Sequence, residues 1–196
     1  MRKTALLSAY DKTGLADFAR SLHQLGWHLL GSAGTAKHLT EHGIPIQDVA
    51  EIVGQPILGH KVVTLSREVH AALLADDSPE EQEELNRIGI PRIDLVYVDL
   101  YPLKEEIAKL DHTPESVRAK TDIGGPTMLR SAAKGRRIVV SSNDQLDEVL
   151  RHIYDVERGA VDPTQAKKFV SQYAAMAEAV VARYCQISSA YLYSSN

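Results

Sequence analysis

The chain has 196 residues, slightly more than one hydrophobic core usually needs, so we expect one domain with an appended helical layer. Its formal net charge of -4 argues against nucleic acid as a partner, and the lack of a long apolar stretch argues against a membrane. The single cysteine, Cys185, excludes an internal disulfide, is expected to be a buried thiol, and fits a cytoplasmic location.

Short β-like runs alternate with segments of helical period along the chain, which predicts an α/β fold. We expect a three-layer parallel sheet with helices on both faces. Strands are predicted at residues 3–9, 27–31, 61–65, 93–100 and 137–141. Helices are predicted at residues 13–25, 35–42, 67–75, 79–86, 144–154 and from 163 onward. Residues 1–142 are therefore expected to form a core, and residues 143–196 a C-terminal helical extension of the same domain.

The segment TDIGGPTMLRSAAK, at residues 121–134, has the composition of a ligand site. Asp122 precedes Gly124 and Gly125, which allow the backbone to approach a ligand closely, and Pro126 suits the first turn of a helix. The first amides of that helix would then face the ligand. A plain connection between a strand and a helix could carry the same glycines, so a purely structural role stays open.

Two further loops place small or hydroxyl residues between a strand and a helix, where a helix N-terminus can hold an anion such as phosphate. In SAYDKTG, at residues 8–14, Lys12 and Thr13 would offer an ammonium, a hydroxyl and backbone amides. Asp11 could instead simply cap the following helix.

The second loop, GSAGT at residues 31–35, offers Ser32, Gly34 and Thr35 in the same way, although Ser32 or Thr35 could also be a simple helix cap. Loops that follow successive strands of a parallel sheet lie at one edge, where such folds bind ligands. Neither loop has the spacing of an ATPase or dinucleotide motif.

Four motifs occur in one order: SxxDKTG, SxGTAK, LYP and DIGGPTMLRSAAK. With them the chain resembles the N-terminal IMP cyclohydrolase domain of the bifunctional purine-biosynthesis enzyme, over residues 6–142. The resemblance implies a methylglyoxal-synthase-like fold. It also implies ring closure and dehydration of 5-formamidoimidazole-4-carboxamide ribonucleotide to IMP, with no metal and no other cofactor.

The resemblance implies three catalytic residues. Asp122 would accept a proton or hydrogen bond from the attacking amide, Lys134 would stabilise charge or protonate the departing oxygen, and Tyr101 would orient the reacting face. Tyr101 could instead be a packing residue, and Lys134 could only complement a helix dipole. The implied nucleotide- and phosphate-binding residues are Ser8, Lys12, Thr13, Gly14, Ser32, Gly34, Thr35, Lys61, Thr64, Asp99, Ile123, Gly124 and Gly125.

The chain departs from the family pattern at the site itself. The expected RVKTLHP reads KVVTLSR, so that Val63 replaces a catalytic lysine and Ser66 replaces a histidine. Losing one preorganised charge-stabilising group typically costs about 10² to 10³ in rate, which predicts weakened activity. A shifted loop could offer His60 or Lys61 as a substitute cation. Three further departures are Tyr10 for a small hydroxyl residue, Ala33 for a glycine, and Asp99 for an asparagine.

Two interpretations therefore remain. One is a stand-alone cyclohydrolase, in which case a separate formyltransferase is expected to supply the substrate, and a homodimer is possible. The other is a binding module for a purine nucleotide or another phosphorylated ligand, with a regulatory role. His38 and His42 have the spacing of a metal-binding pair, but without an evident third ligand we expect no metal site.

Overall fold

A single all-parallel sheet organises the computed structural model, which describes residues 2–58 and 62–194. Within those residues the sheet has five strands in the order β3-β2-β1-β4-β5. The strands are β1 Thr4–Ala9, β2 His28–Gly31, β3 Gln47–Asp48, β4 Leu95–Asp99 and β5 Ile138–Val140. The predicted parallel α/β sheet is confirmed.

Ten α-helices are found in the described part of the chain. They are α1 Leu15–Gln24, α2 Ala33–Glu41, α3 Ala50–Val53, α4 Arg67–Leu74, α5 Pro79–Arg87, α6 Leu103–Ile107, α7 Pro114–Lys120, α8 Gly124–Lys134, α9 Leu146–Glu157 and α10 Pro163–Ser194. A short 3₁₀ turn, Asn143–Gln145, precedes α9. None of the described helices is long and apolar enough to cross a bilayer.

Both faces of the sheet are covered by helices. Leu6 and Leu7 are adjacent in β1 and both fully buried, yet they belong to two different core clusters because successive strand side chains point to opposite faces. Such two-sided burial explains why β1 reads as a nearly continuous apolar run. One cluster packs against α1 and α9, and the other against α4, α8 and α10.

The C-terminal helix α10 packs on the core of its own chain. Its buried residues, Tyr173, Ala177, Val181 and Tyr184, recur at intervals of three or four positions and form one apolar stripe. Cys185 follows this stripe by one position and is exposed, so the expectation of a buried thiol is wrong. A step of one residue turns a side chain by about 100° around a helix, which carries Cys185 off the packed face.

The strand predicted at residues 61–65 is wrong where the structure describes it. Val62 makes only an isolated antiparallel bridge with Ile57, and residues 63–66 form bends before α4. Lys61 and the neighbouring His60, considered as a substitute cation, lie outside the described residues. Four described elements were not predicted from the sequence: β3, α3, α6 and α7.

Trp27 lies just before β2, at the amino-terminal edge of the sheet. The indole is buried, with 2% of the residue exposed, and the Lys3 ammonium lies 5.4 Å from the ring centre. The side chain is therefore part of the core, as expected for the residue that starts an internal strand.

Candidate functional site

A pocket of about 930 Å³ opens at the carboxyl-terminal edge of the sheet, where the neighbouring strands β2, β1 and β4 end. This volume lies within the range of small-molecule sites, and the edge is the usual ligand-binding edge of open α/β sheets. Twelve of the residues predicted for a site line it: Ser8, Lys12, Ser32, Gly34, Thr35, Thr64, Asp99, Tyr101, Asp122, Ile123, Gly124 and Gly125.

A chain of hydroxyl groups connects the ends of β1 and β2. The Ser8 hydroxyl donates to Ser32 Oγ at 3.1 Å, and Ser32 Oγ lies 3.3 Å from Thr35 Oγ1. The buried Thr35 Oγ1 in turn accepts the backbone N–H of Ala9 at 3.1 Å. Ser32 also precedes α2, whose first amides have no intrahelical acceptor. This corner of the pocket therefore offers hydroxyls and a helix N-terminus to an anion.

Lys12 and Asp99 bring opposite charges to the same corner. The Lys12 ammonium donates to the carbonyl oxygens of Ala9 and Tyr10, and burial lowers its pKa while Asp99 and Asp11 oppose that shift. Burial also raises the pKa of the Asp99 carboxyl, which accepts the backbone N–H of Asp11 at 2.7 Å. The positive charge available to a phosphate group is thus partly offset by Asp99.

Asp122 lies at the turn between α7 and α8, with its carboxylate over the start of α8. Its Oδ1 accepts the N–H of Gly125 at 2.9 Å, and its own N–H donates to the Tyr184 hydroxyl on α10 at 2.7 Å. Burial raises the pKa of this carboxyl, although the amides of Gly125 and Gly124 work in the opposite direction. None of the ion pairs within residues 2–58 and 62–194 involves Asp122. A half-buried carboxyl with a raised pKa and no cationic partner among these residues suits proton transfer.

Gly125 leaves room for the Asp122 carboxylate at the start of α8, and Gly124 leaves room for Thr64. A Cβ atom at Gly125 would lie 2.5 Å from Asp122 Oδ2 and 2.6 Å from Leu100 Cδ2. A Cβ atom at Gly124 would lie 2.9 Å from the Thr64 hydroxyl oxygen, so neither position has room for a side chain without displacing a pocket group.

Two predicted residues of the first loop do not line the pocket. The N–H and hydroxyl of Thr13 both donate to Asp11 Oδ1, at 2.9 and 2.7 Å, so Thr13 closes a local turn. Gly14 is the N-cap of α1, with a φ of 73°, a left-handed conformation that favours glycine. Lys61 lies outside the described residues.

Lys134 is also not brought to this pocket. It is the last residue of the 11-residue helix α8, about 15 Å along the axis from Gly124. It lines a second depression, of about 770 Å³, between α8 and α10, together with the ion-paired Arg130 and Glu178. Asp122 and Ile123 line this depression as well as the pocket.

Two features of the pocket are not predicted from the sequence: the residues that α7 contributes, and the contact of the Tyr10 ring with Tyr101. Arg118 and Lys120 of α7 both line the pocket. The Lys120 ammonium lies 5.2 Å from the ring centre of Tyr101, whose ring centre is 4.9 Å from that of Tyr10. Thr113 followed by a proline is a recognisable helix start and could have revealed α7.

Val63 and Ser66, which differ from the family pattern in the segment before α4, have different structural roles. Ser66 is the N-cap of α4, where its hydroxyl accepts the N–H of Val69 at 3.0 Å. Val63 lines the pocket and packs partly against the core, so it gives the pocket an apolar patch.

Comparisons with known proteins agree with this architecture. A family model described as "MGS-like domain" matches residues 14–127, more than half of the chain. The chain is also similar to a solved structure titled "Crystal structure of ForH", with 31% sequence identity and a TM-score of 0.82. That match covers 96% of this chain and 95% of the other, a larger share of the chain than the family model matches.

Proposed function

The chain belongs to the MGS-like domain family, and from that premise we propose that it is an IMP cyclohydrolase. The family includes such enzymes among others. The proposal rests on one observation above all. The half-buried carboxyl of Asp122, which has no ion-pair partner among the described residues, shares a pocket with the hydroxyls and helix N-terminus that can hold a phosphate group.

The proposed reaction closes a six-membered ring and releases water. The carboxamide nitrogen attacks the formyl carbon, a C–N bond forms, and the formyl oxygen takes up charge. The bond between that carbon and oxygen then breaks. One proton from the carboxamide nitrogen and one from the formamide nitrogen leave with the oxygen as water.

The two ends of the pocket would have different roles, phosphate binding at one end and ring closure at the other. The phosphate group would bind at Ser32 and the first turn of α2, and the formamide group would lie near Asp122. Asp122 would accept the proton from the carboxamide nitrogen, and Tyr101 would contact the ring. Fixing both ends of the substrate holds the formamide group in its folded rotamer, which removes much of the entropic barrier to ring closure.

Ring closure by the purified chain, followed by ultraviolet absorbance, tests the proposal. We expect turnover by the unchanged protein and a loss of about 10³-fold in kcat for Asp122→Asn, within the range that general bases contribute. Because burial raises the pKa of Asp122 above its ordinary 3.8, and the base must be ionised, kcat/KM should rise with pH through that raised pKa.

Asp111→Asn is the matched control, since Asp111 is exposed and does not line the pocket. Its turnover should equal that of the unchanged protein. An Asp122→Asn variant that is fully active would exclude the proposed role of the carboxylate.

A regulatory nucleotide-binding module is the second candidate, and Val63 favours it. Val63 gives the pocket an apolar residue where the resemblance implies a catalytic lysine, whereas the Ser8 and Ser32 hydroxyls that could hold a phosphate group are kept. A pocket lined in this way can bind a nucleotide without the cation that ring closure uses. Isothermal titration with IMP separates the two functions. Binding of IMP by a protein that shows no ring closure would support the module and reject the enzyme.

A further inference from the structure

We propose that Lys120 is the cation that stabilises the formyl oxygen, in place of the family lysine that Val63 replaces. This inference rests on the proposed function, because it concerns the same reaction in the same pocket. Lys120 and Val63 both line that pocket, together with Asp122.

Lys120 is the best placed of the described cations in the pocket, which are Lys12, Arg118 and Lys120. The Lys12 ammonium is already donated to two backbone carbonyls and lies near Asp99, at the phosphate corner. Lys120 is two positions from Asp122 in the chain and has its ammonium over the Tyr101 ring. Arg118 has no comparable contact with a residue of the reacting end among the described interactions.

The hydroxyl of Tyr184 holds the backbone of both Lys120 and Asp122. The Tyr184 hydroxyl donates to the carbonyl oxygen of Lys120 at 3.3 Å and accepts the N–H of Asp122 at 2.7 Å. The segment that carries the ammonium and the carboxylate is therefore anchored to α10. Such anchoring fixes the backbone from which both side chains project, which is one part of a preorganised site.

The ring of Tyr101 restricts the ammonium further. A cation held over an aromatic face is attracted by the electron density of the ring, and Tyr101 is itself in contact with the Tyr10 ring. A planar substrate ring that rests on this aromatic pair would bring its formyl oxygen toward the ammonium. As the carboxamide nitrogen attacks, the ammonium stabilises the negative charge that builds on that oxygen.

Replacement of Lys120 by methionine tests this role, because methionine keeps much of the length and removes the charge. We expect kcat for Lys120→Met to fall about 10²-fold, the loss typical of one preorganised charge-stabilising group, while KM changes less than about threefold. Lys120→Arg should retain more activity than Lys120→Met. The matched control is Lys104→Met, an exposed lysine on α6 that does not line the pocket, and it should have unchanged kinetics.

Restoring the family lysine gives a second, independent result. In the Lys120→Met background, Val63→Lys should recover at least about tenfold in kcat, because it returns a cation to the same pocket. Melting temperatures of all variants separate this effect from a loss of folding. If Lys120→Met does not fold, Lys120→Gln takes its place, measured alone and together with Val63→Lys.

The outcomes distinguish this inference from the proposed function. If the unchanged protein turns over and Lys120→Met keeps its kcat, or loses only substrate affinity, Lys120 is not the cation and the cyclohydrolase function stands. If Val63→Lys recovers nothing, Lys120 does not replace the family lysine. If the unchanged protein catalyses no ring closure, the proposed function fails and this inference fails with it.

Discussion

The two ends of helix α8 come from one continuous sequence motif, yet they have different tasks. At the start, Gly125 leaves room for the Asp122 carboxylate in the pocket. Just past the end, a Cβ atom at Gly135 would overlap the carbonyl oxygen of Leu73, so this glycine allows α8 to pack closely against α4. A single sequence motif thus meets a requirement of the site at one end of the helix and a requirement of packing at the other.

Alanine at each of these two glycines should separate the two tasks. Gly125→Ala should lower kcat by about 10²-fold or more, because the new methyl group displaces the Asp122 carboxylate from the position that proton transfer needs. Gly135→Ala should instead lower the free energy of unfolding by about 3 kcal/mol, since the overlap is with backbone that cannot rotate away. Kinetics and chemical denaturation of both variants make the measurement.

Two results would contradict this division between a site role for Gly125 and a packing role for Gly135. A Gly135→Ala protein with full stability and no turnover would place the end of α8 in the site. A Gly125→Ala protein with normal turnover would show that the carboxylate does not need its position over the helix.

The hydroxyl of Tyr184 connects the start of α8, where the site lies, to α10. Its removal therefore tests how far the position of Asp122 depends on α10. Tyr184→Phe leaves the Asp122 N–H without its partner, which should cost about 1 to 3 kcal/mol of stability. Turnover should fall about tenfold as the segment with Asp122 loses its anchor. Tyr154→Phe, on the exposed side of α9, is the control for loss of a tyrosine hydroxyl, and thermal melts with kinetics should separate the two variants.

Replacement of Lys134 is expected to change kcat the least. Its position about 15 Å along α8 from Gly124 is beyond the reach of a lysine side chain to the pocket of the same chain, so Lys134→Met should keep kcat within about threefold. Steady-state kinetics across a range of protein concentrations provide the measurement. A loss as large as that of Asp122→Asn would contradict this and would assign Lys134 to the pocket of a second copy.

The main sheet could be predicted because its strands are strongly patterned. Residues 95–98 are an uninterrupted apolar run, as buried parallel strands are, and the alternation of strands with helices fixes the fold class. The two-residue strand β3 is too short to leave a pattern. The segment at residues 61–65 has β-like residues, but the described part makes a single bridge, since side-chain preference alone does not provide a partner strand.

The site could be predicted only as far as topology determines it. Loops after adjacent parallel strands must meet at one edge, and for that reason Ser8, Ser32 and Asp99 line one pocket. Spacing along the chain does not tell which side of a turn a hydroxyl faces, so Thr13 was assigned to the ligand although it bonds Asp11. Lys120 was missed because α7 itself was not predicted.

The burial of Trp27 provides a built-in optical probe, because it is the single tryptophan of the chain. The indole precedes β2, about 13 Å from Gly31 at the pocket end of that strand. Its fluorescence should therefore shift to longer wavelength when the core is exposed by denaturant and stay nearly constant when the pocket is filled. The same signal can report folding of every variant above while nucleotide is present.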